Sequence, residues 1–539
     1  VEELIIQGDE LAVIHKESIN TVRLVTFKVN NDVHIIGGAL RMGVGESAVD
    51  NAGAGGIYAS IDTNAGIVNS MACDNINNHY SVHPDSNCKI VGFDLPQWNQ
   101  AITMVDEMAM KCGGATVIAW DLAYSKNGWL VIEGNDVGEP YLLQAPLQVG
   151  MKSALIRILN IMIPFNKPCL TGKEAHYMYQ AVFTGKLSGN GYFTKKCQHY
   201  FEDRYGFKKC LLTTSGTDAL EMCAMLCGLN PGDEVIVPSY TFVSTALAFL
   251  REGAKVIFAD SMQCNPNLDA ESLEKLITPR TRVIAPVHYA GVACDMDAIM
   301  AVAEKHNLLV VEDAAQAIDS FYKGRPLGSI GHLGAFSFHE TKNITAGGEG
   351  GLLTINDERF IRRSEILWEK GTNRAEFFRG AVNKYGWVDM GSSFLPAEIN
   401  AAFLWAQLEN LDVIQTKRKK LWEQYFVGLQ QLAGKGFIRL PQIPGYATNN
   451  AHMFYFVCRT LEERTELIKY LKEHEVTAPF HYLSLHKSEY YLEHNAERPE
   501  LPNCDMYADC LVRMPMYYEL ELEQVDYIVE LIRTFFESK

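Results

Sequence analysis

The sequence predicts an α/β chain built from two unlike parts, and three observations carry that prediction. Residues before about 155 read as strands interrupted by a single clear amphipathic helix. From about 170 to 410, short β-branched runs alternate with helical patterns. After Leu408 comes a long charged helix, then one more strand and helix. The first pattern is an α+β layout, and the second implies βαβ units around a mainly parallel sheet covered on both faces. The third reads as a smaller α/β domain. Expected boundaries are therefore 1–150, a helix or linker at 151–161, 162–410 and 411–539.

In the first part, strands are expected at Arg23–Val29, Val33–Gly37, Ile57–Ile61, Ala115–Ala119 and Trp129–Ile132. The helix runs from about Pro96 to Cys112, because Trp98, Ile102, Val105 and Met108 recur at helical spacing. The opening Val-Glu-Glu-Leu-Ile-Ile reads as the start of a strand and not as a translation start, so an N-terminal truncation is expected. In the second part the strands are Cys210–Thr213, Glu234–Val237, Lys255–Ala259, Arg282–Pro286, Leu308–Glu312 and Gly334–Phe338. Leu220–Cys227 and Met296–His306 are helical patterns between them. Met453–Arg459 and Leu461–His474 supply the last strand and helix.

Composition excludes several function classes. Forty-eight basic against 65 acidic side chains leave a net charge of −17, which argues against a nucleic-acid or anionic-membrane binder. Val235–Leu250, the longest uncharged apolar stretch, carries Pro238, Ser239, Thr241, Ser244 and Thr245 and is too short to span a bilayer. Thirteen cysteines form no CxxC pair; Cys223 and Cys227 share a helix face and read as core packing. Reduced thiols and no secretory segment point to the cytoplasm.

Four motifs in the second part carry chemistry. Lys342, in Ser337-Phe-His-Glu-Thr-Lys-Asn, precedes the glycine-rich Ala346-Gly-Gly-Glu-Gly-Gly. Close backbone and partial desolvation would make its amine nucleophilic, although in isolation it reads as a surface lysine. Asp313 ends a strand, where ligands of open parallel sheets bind. It suits a protonated pyridine nitrogen, with Gln316 for a ring hydroxyl; a helix N-cap is the bland alternative. Thr214-Ser-Gly-Thr217 opens a helix and makes an anion site, or simply a cap. Phe242 follows another strand end and offers a stacking face, or ordinary core.

Their order and spacing resemble the pyridoxal-phosphate-dependent sugar-nucleotide aminotransferases of the DegT/StrS type. The resemblance runs from about Met162 to the C-terminus through Ser-Gly-Thr, Pro-Ser-Tyr-Thr-Phe, Pro-Val-His-Tyr-Ala-Gly, Val-Glu-Asp-Ala-Ala-Gln and the lysine motif. It implies a fold-type I transferase with a mainly parallel seven-stranded-type sheet and a small α/β C-terminal domain. By that resemblance Lys342 holds the cofactor covalently and shuttles the proton, and Asp313 pairs with the pyridinium. Gln316 meets the ring oxygen, Gly216, Thr217 and Ser337 hold the phosphate, and Phe242 stacks. His339, Asn343, Tyr289 and His481 are the expected substrate contacts. Ile163-Pro-Phe-Asn, Gly185-Lys-Leu-Ser-Gly, Glu369-Lys-Gly-Thr-Asn-Arg and Ala451-His-Met-Phe-Tyr look like the subgroup that aminates TDP-4-oxo-6-deoxyglucose at C4. The implied substrates are that nucleotide sugar and an amino acid, glutamate first. The resemblance also implies a homodimer, with Gly185–Thr194 and Gly391–Phe394 reaching the partner's site. Transfer at C3 or to another nucleotide sugar stays open.

In the first part, Arg41-Met-Gly-Val-Gly-Glu-Ser-Ala-Val-Asp-Asn precedes Ala52-Gly-Ala-Gly-Gly, and Asp121 is followed by Ile132-Glu-Gly-Asn135. Asp121, Glu133 and Asn135 offer oxygens for Mg²⁺, or form an exposed acidic hairpin. These residues resemble the nucleotide-metal end of the sugar-transfer-associated ATP-grasp group, with Arg41 on the phosphate side. Val1–Ile6 resembles the hinge strand past the adenine. The upstream phosphate-binding half lies outside the resemblance, so a partial domain is expected, with ATP and Mg²⁺ used only if it is complete. An ATP-dependent ligase carrying the transferase half as scaffold is the rival reading.

Overall fold

In the computed structural model, residues 5–29, 32–47, 49–112, 116–136, 141–146 and 162–538 are described. The expected linker at 151–161 lies outside them. The chain divides into two units, 1–161 and 162–539.

The first unit is built on an antiparallel sheet. Its strands are β1 (Thr21–Val29), β2 (Asp32–Met42), β3 (Ile57–Asp62), β4 (Ile67–Val68), β5 (Ala72–Cys73), β6 (His79–Tyr80), β7 (Val117–Ser125) and β8 (Gly128–Asn135). The order is β6-β5-β3-β2-β1-β7-β8, with β4 paired to β3. The helix Trp98–Lys111 buries Trp98, Ala101, Val105 and Ala109 against β1 and β2, one apolar stripe as the spacing demands. β2 and β7 run several residues beyond their sequence-predicted ends: Arg41 and Asp121, polar residues that end an apolar reading, stay in the ladder and pair with each other across β1. The expected strand at the chain start is reduced to a single bridge between Gln7 and Ser125 among the described residues.

The second unit carries β9 (Lys209–Thr213), β10 (Glu234–Pro238), β11 (Lys255–Ala259), β12 (Thr281–Ile284) and β13 (Leu309–Asp313). A small pair, β14 (Phe321–Tyr322) and β15 (Arg325–Pro326), precedes β16 (Leu333–Ser337) and β17 (Gly351–Ile355). The seven-stranded sheet has the order β11-β10-β12-β13-β16-β17-β9. It is parallel from β11 through β16 and antiparallel at β17. Alternate side chains of its strands enter two cores: Val235 and Val237 one, Ile236 the other; Val311 one, Val310 the other. Both faces being covered explains why these strands read as continuous apolar runs. A third core joins the helix Leu411–Gly434 and the C-terminal helix Leu522–Glu537 to a three-stranded sheet. That sheet is β18 (Ile438–Arg439), β19 (Phe454–Cys458) and β20 (Leu511–Met514), in that order.

Candidate active site

The parallel strands aim their carboxyl ends at one cavity of about 460 Å³, as the topology of an open sheet requires of a ligand site. Asp313 is the last residue of β13, and Ser337 the last of β16. Phe242 follows β10 at the start of the helix Val243–Arg251, and Gly216 and Thr217 begin the helix Gly216–Cys227 after β9. These five line the cavity together with Gln316, His339, Lys342 and His481.

Local packing fixes each group. The preceding Glu312 points the other way and is wholly buried. It accepts the N–H groups of Gly328 (2.8 Å), Ile330 (2.7 Å) and Gly331 (2.6 Å) and shares 2.9 Å with His288 Nε2. Anchored this way, β13 presents Asp313, whose Oδ2 accepts from Thr245 Oγ1 at 2.7 Å and whose Oδ1 accepts from the Ala315 N–H at 3.1 Å. Burial pushes the Asp313 carboxyl up, opposed by those two bonds and by the charges of Lys342 and His288. Gln316 Oε1 accepts the Ala290 N–H, which leaves its amide to donate to the Tyr482 hydroxyl at 3.0 Å. Lys342 sits in the turn after β16, its N–H held by the His339 carbonyl. Burial, with the Arg513 cation adding and Asp313 opposing, brings its amine down to about 8.

Ser337 and Gly216 approach so closely that a Cβ on Gly216 would lie 2.7 Å from the Ser337 Cβ. Only glycine fits there. The contact sets the free N–H groups of a helix start beside a hydroxyl, an arrangement suited to an anion. Thr217 Oγ1 and Ser244 Oγ, 2.8 Å apart, extend it. Phe242 is 56% exposed with its ring 6.2 Å from that of Tyr482, so a flat ligand has access to its face.

Two expected substrate contacts stand elsewhere. Asn343 is buried and its amide is spent inside: Nδ2 donates to Gln415 Oε1 and to the Asn450 carbonyl, and Oδ1 faces His452 Nδ1. The residue next to a cavity lysine in a turn faces the core. Tyr289 is also buried, behind His481, to whose Nδ1 its hydroxyl is bonded at 2.6 Å. Arg513, His452, Tyr482 and Thr245, whose roles no motif in the sequence discloses, also line the cavity. His452 lies in Ala451-His-Met-Phe-Tyr, one of the motifs already singled out, and that motif was the signal that leads to it.

In the first unit Asp121 and Glu133 face each other across β7 and β8, and Asn135 Nδ2 donates to Glu133 Oε1. The Asp121 carboxylate, however, is buried and accepts Arg23 Nε (2.6 Å), Arg23 Nη2 (2.7 Å) and Arg41 Nη1 (2.7 Å). Arg41 also reaches Asp50 at 3.0 Å. The expected Mg²⁺ site is therefore an internal ion-pair cluster: two guanidiniums occupy the carboxylate meant for the cation. Among the described residues no group of three or more His, Cys, Asp or Glu is placed to hold a metal. Burial works to raise the Asp121 carboxyl, but the Arg23 hydrogen bonds and the two arginine charges hold it below its usual range. Its stabilising contribution is present above the unfolded value of about 3.9 and lost as pH falls through the lower folded one. Asp121→Ala leaves two mostly buried guanidiniums without their shared partner and is expected to cost this unit about 3–5 kcal/mol. Urea unfolding followed by tryptophan fluorescence checks this; a loss under 1 kcal/mol would refute it.

Residues 168–533 match the DegT/DnrJ/EryC1/StrS aminotransferase family. The chain belongs to that family. Residues 1–160 match the sugar-transfer associated ATP-grasp family. The spore coat polysaccharide biosynthesis protein SpsC of Bacillus subtilis is 32% identical over 390 residues, 70% of this chain and 98% of that protein. A GDP-perosamine synthase of Caulobacter vibrioides is 36% identical over 296 residues, 55% of this chain and 76% of the synthase. The Streptococcus pneumoniae protein Spr1654 in its PLP form superposes with a TM-score of 0.65 at 27% identity, over 70% of this chain and 99% of that one. The second unit is thus a fold-type I, pyridoxal-phosphate-dependent aminotransferase. Its residues fit that cofactor on their own geometry: an amine of lowered pKa, a buried carboxylate across from it, a cradle that only glycine permits and an accessible aromatic face. No helix among the described residues is long and apolar enough to cross a membrane.

Proposed function

We propose that this enzyme transfers the amino group of L-glutamate to C4 of a nucleotide-linked 4-oxo-6-deoxyhexose. TDP-4-oxo-6-deoxyglucose is the first candidate acceptor, giving TDP-4-amino-4,6-dideoxygalactose. The observation that carries the reading is the convergence of Lys342, Asp313 and the Gly216–Ser337 cradle on one cavity. The motifs shared with sugar-nucleotide aminotransferases, and the polysaccharide and perosamine names of the relatives, support the acceptor class. Bound there, pyridoxal phosphate supplies the electron sink for ionising the bond at the amine-bearing carbon. The chain does the rest. Gly216, Thr217 and Ser337 hold the phosphate. Asp313 holds a proton on the ring nitrogen, Gln316 meets the ring oxygen and Phe242 covers the ring face. Lys342 Nζ, whose amine is brought down to about 8 and can therefore hold or release a proton near neutral pH, takes up and returns the proton at the reacting carbon.

Arg513, on β20, supplies the anion receptor. Among the described residues it pairs with no carboxylate. Its Nη2 donates to the Phe480 carbonyl at 3.1 Å, its Nε is buried without a partner, and its guanidinium lies 4.4 Å over the Phe165 ring. A cavity that must accept a glutamate carboxylate needs such a group, and the sugar ketone does not. Incubation with glutamate and TDP- or GDP-linked 4-oxo-6-deoxyhexose, with the product solved by mass spectrometry and NMR, tests the reading. Amination of neither sugar, or amination at C3, overturns it.

We further propose a homodimer. Phe378, Trp387, Val388 and Met390 are exposed within residues 374–390, more apolar surface than one short segment of a monomer ordinarily shows to water. Light scattering is expected to give twice the chain mass, and an active monomer would refute the shared site. In the first unit the Arg23–Asp121–Arg41 cluster does not fit a Mg²⁺ site, and no ATP-dependent step is assigned to it.

A further inference from the structure

His452 forms part of the cavity wall, and a chain of buried amides fixes which of its ring nitrogens carries the proton. Asn450 is wholly buried, and its Nδ2 donates to the carbonyls of Gln316 and Ile318, both at 2.8 Å. Two carbonyl partners identify that atom as the nitrogen. Its Oδ1 then accepts the His452 backbone N–H at 3.0 Å. Asn343 is oriented by the same logic. Its Nδ2 faces the Asn450 carbonyl at 2.9 Å and Gln415 Oε1 at 2.8 Å, and Gln415 Nε2 in turn faces the same carbonyl. Asn343 Oδ1 therefore faces His452 Nδ1 at 2.8 Å, and Nδ1 must donate. Arg418, buried beneath, donates to the His452 carbonyl at 2.6 Å and holds the backbone.

The ring is neutral. Burial and the cations of Lys342, Arg418 and Arg513 hold it well below the ordinary histidine value. With Nδ1 a donor, Nε2 is an acceptor, and it has no partner among the described residues. Among the polar groups that line the cavity with Lys342, two differ sharply: the Arg513 guanidinium can only donate and the His452 Nε2 can only accept. The two substrates differ in the matching way. Glutamate brings carboxylates, which Arg513 attracts and a lone pair repels. A 4-oxo-hexose brings no charge at its reacting end but a hydroxyl donor on C3, beside the ketone.

We propose that His452 Nε2 accepts a hydrogen bond from the hydroxyl next to the sugar ketone, so that it positions the acceptor sugar and not the amino donor. The assignment rests on the C4 reading above. A sugar that lacks this hydroxyl leaves a buried acceptor unpaired, and a site built around a hydrogen bond rejects such an analogue strongly.

The test compares TDP-4-oxo-6-deoxyglucose with its 3-deoxy analogue in single turnovers of the amine-loaded holoenzyme. The wild type is expected to favour the hydroxylated sugar by about tenfold or more in the apparent second-order rate. His452→Phe is expected to reduce that ratio to within about twofold of unity, and His452→Gln, which keeps an acceptor oxygen, to restore part of it. A merely structural role would slow both sugars alike and leave the ratio intact. As a readout that needs no variant, the ¹⁵N shift of His452 Nε2 in the wild-type holoenzyme should report an unprotonated nitrogen that moves with the sugar and not with glutamate. Equal rates for the two sugars in the wild type, a full ratio in His452→Phe, or a protonated Nε2 would each overturn the proposal while leaving C4 transfer intact. Turnover of neither sugar would overturn the C4 reading and this role with it.

Discussion

Lys342→Ala is expected to stop amino transfer, with a loss of at least about 10⁴-fold in kcat, because in the proposed function one side chain supplies both the cofactor attachment and the proton shuttle. Borohydride reduction of the wild-type holoenzyme, followed by peptide mapping, should place the pyridoxyl group on Lys342. Finding it on Lys186 or Lys370 would reject the assignment. The environment adds a second, sharper expectation. Burial and the Arg513 cation bring this amine to about 8 against the pull of Asp313. The rate at which apoprotein captures the cofactor should therefore rise through pH 8, where half of the amine is unprotonated, and not near the ordinary lysine value of about 10.4. Lys342→Arg separates the two roles of the side chain. It keeps a cation in the cavity but has no nucleophilic amine in the accessible pH range, and it is expected to be as inactive as the alanine variant. Residual transfer within a hundredfold of wild type in either variant would mean that another group moves the proton.

What the sequence disclosed about this site follows chain locality. Asp313 and Ser337 each end a strand and Phe242 opens the helix that follows another, all beside short apolar runs legible in the sequence, and the helix Met296–His306 appears where its pattern places it. β17 escaped because Gly351–Ile355 follows a glycine-rich loop and inserts between β16 and β9, strands far apart in the chain. Arg513 and His452 escaped for a related reason. Arg513 lies on β20 of the small sheet and His452 just before β19, both more than a hundred positions beyond Lys342, and nothing local tells that Tyr455 and Arg513 pair across β19 and β20 beside the cavity. Asn343 and Tyr289 show the opposite error. Their residue types and nearness in sequence suit a substrate contact, but direction decides the matter, and a turn sends one into the core and the other behind His481. In the first unit the spacing of Asp121, Glu133 and Asn135 was legible as an oxygen cluster. Arg23 and Arg41, on the neighbouring β1 and β2, turn it into an ion-pair cluster, and strand pairing is not written in any one strand.

Asp313→Asn is expected to lower kcat/KM by about 10²–10⁴-fold while leaving the fold intact. The amide has the size of the carboxylate and can satisfy the same neighbours, its oxygen taking the Ala315 N–H and its nitrogen donating to Thr245 Oγ1. What it lacks is the negative charge. Removing one partner of a buried charge pair costs about 3–5 kcal/mol, and each 1.36 kcal/mol is a factor of ten in rate. The loss should appear in both half-reactions, since a protonated ring nitrogen serves the amino donor and the sugar alike. A second consequence follows from the coupling of Asp313 to Lys342. The carboxylate favours the charged form of the lysine, raising its pKa against burial. Without it the amine should titrate below 8, so cofactor capture by Asp313→Asn persists to lower pH than in the wild type even as turnover fails. Asp313→Glu keeps the charge and should leave that titration close to the wild-type midpoint, although the longer side chain misplaces the carboxylate and costs rate. The two profiles together separate charge from shape. If Asp313→Asn turns over normally, or if its capture profile shifts upward, the carboxylate does not face the ring nitrogen and the placement of the cofactor in this cavity is wrong.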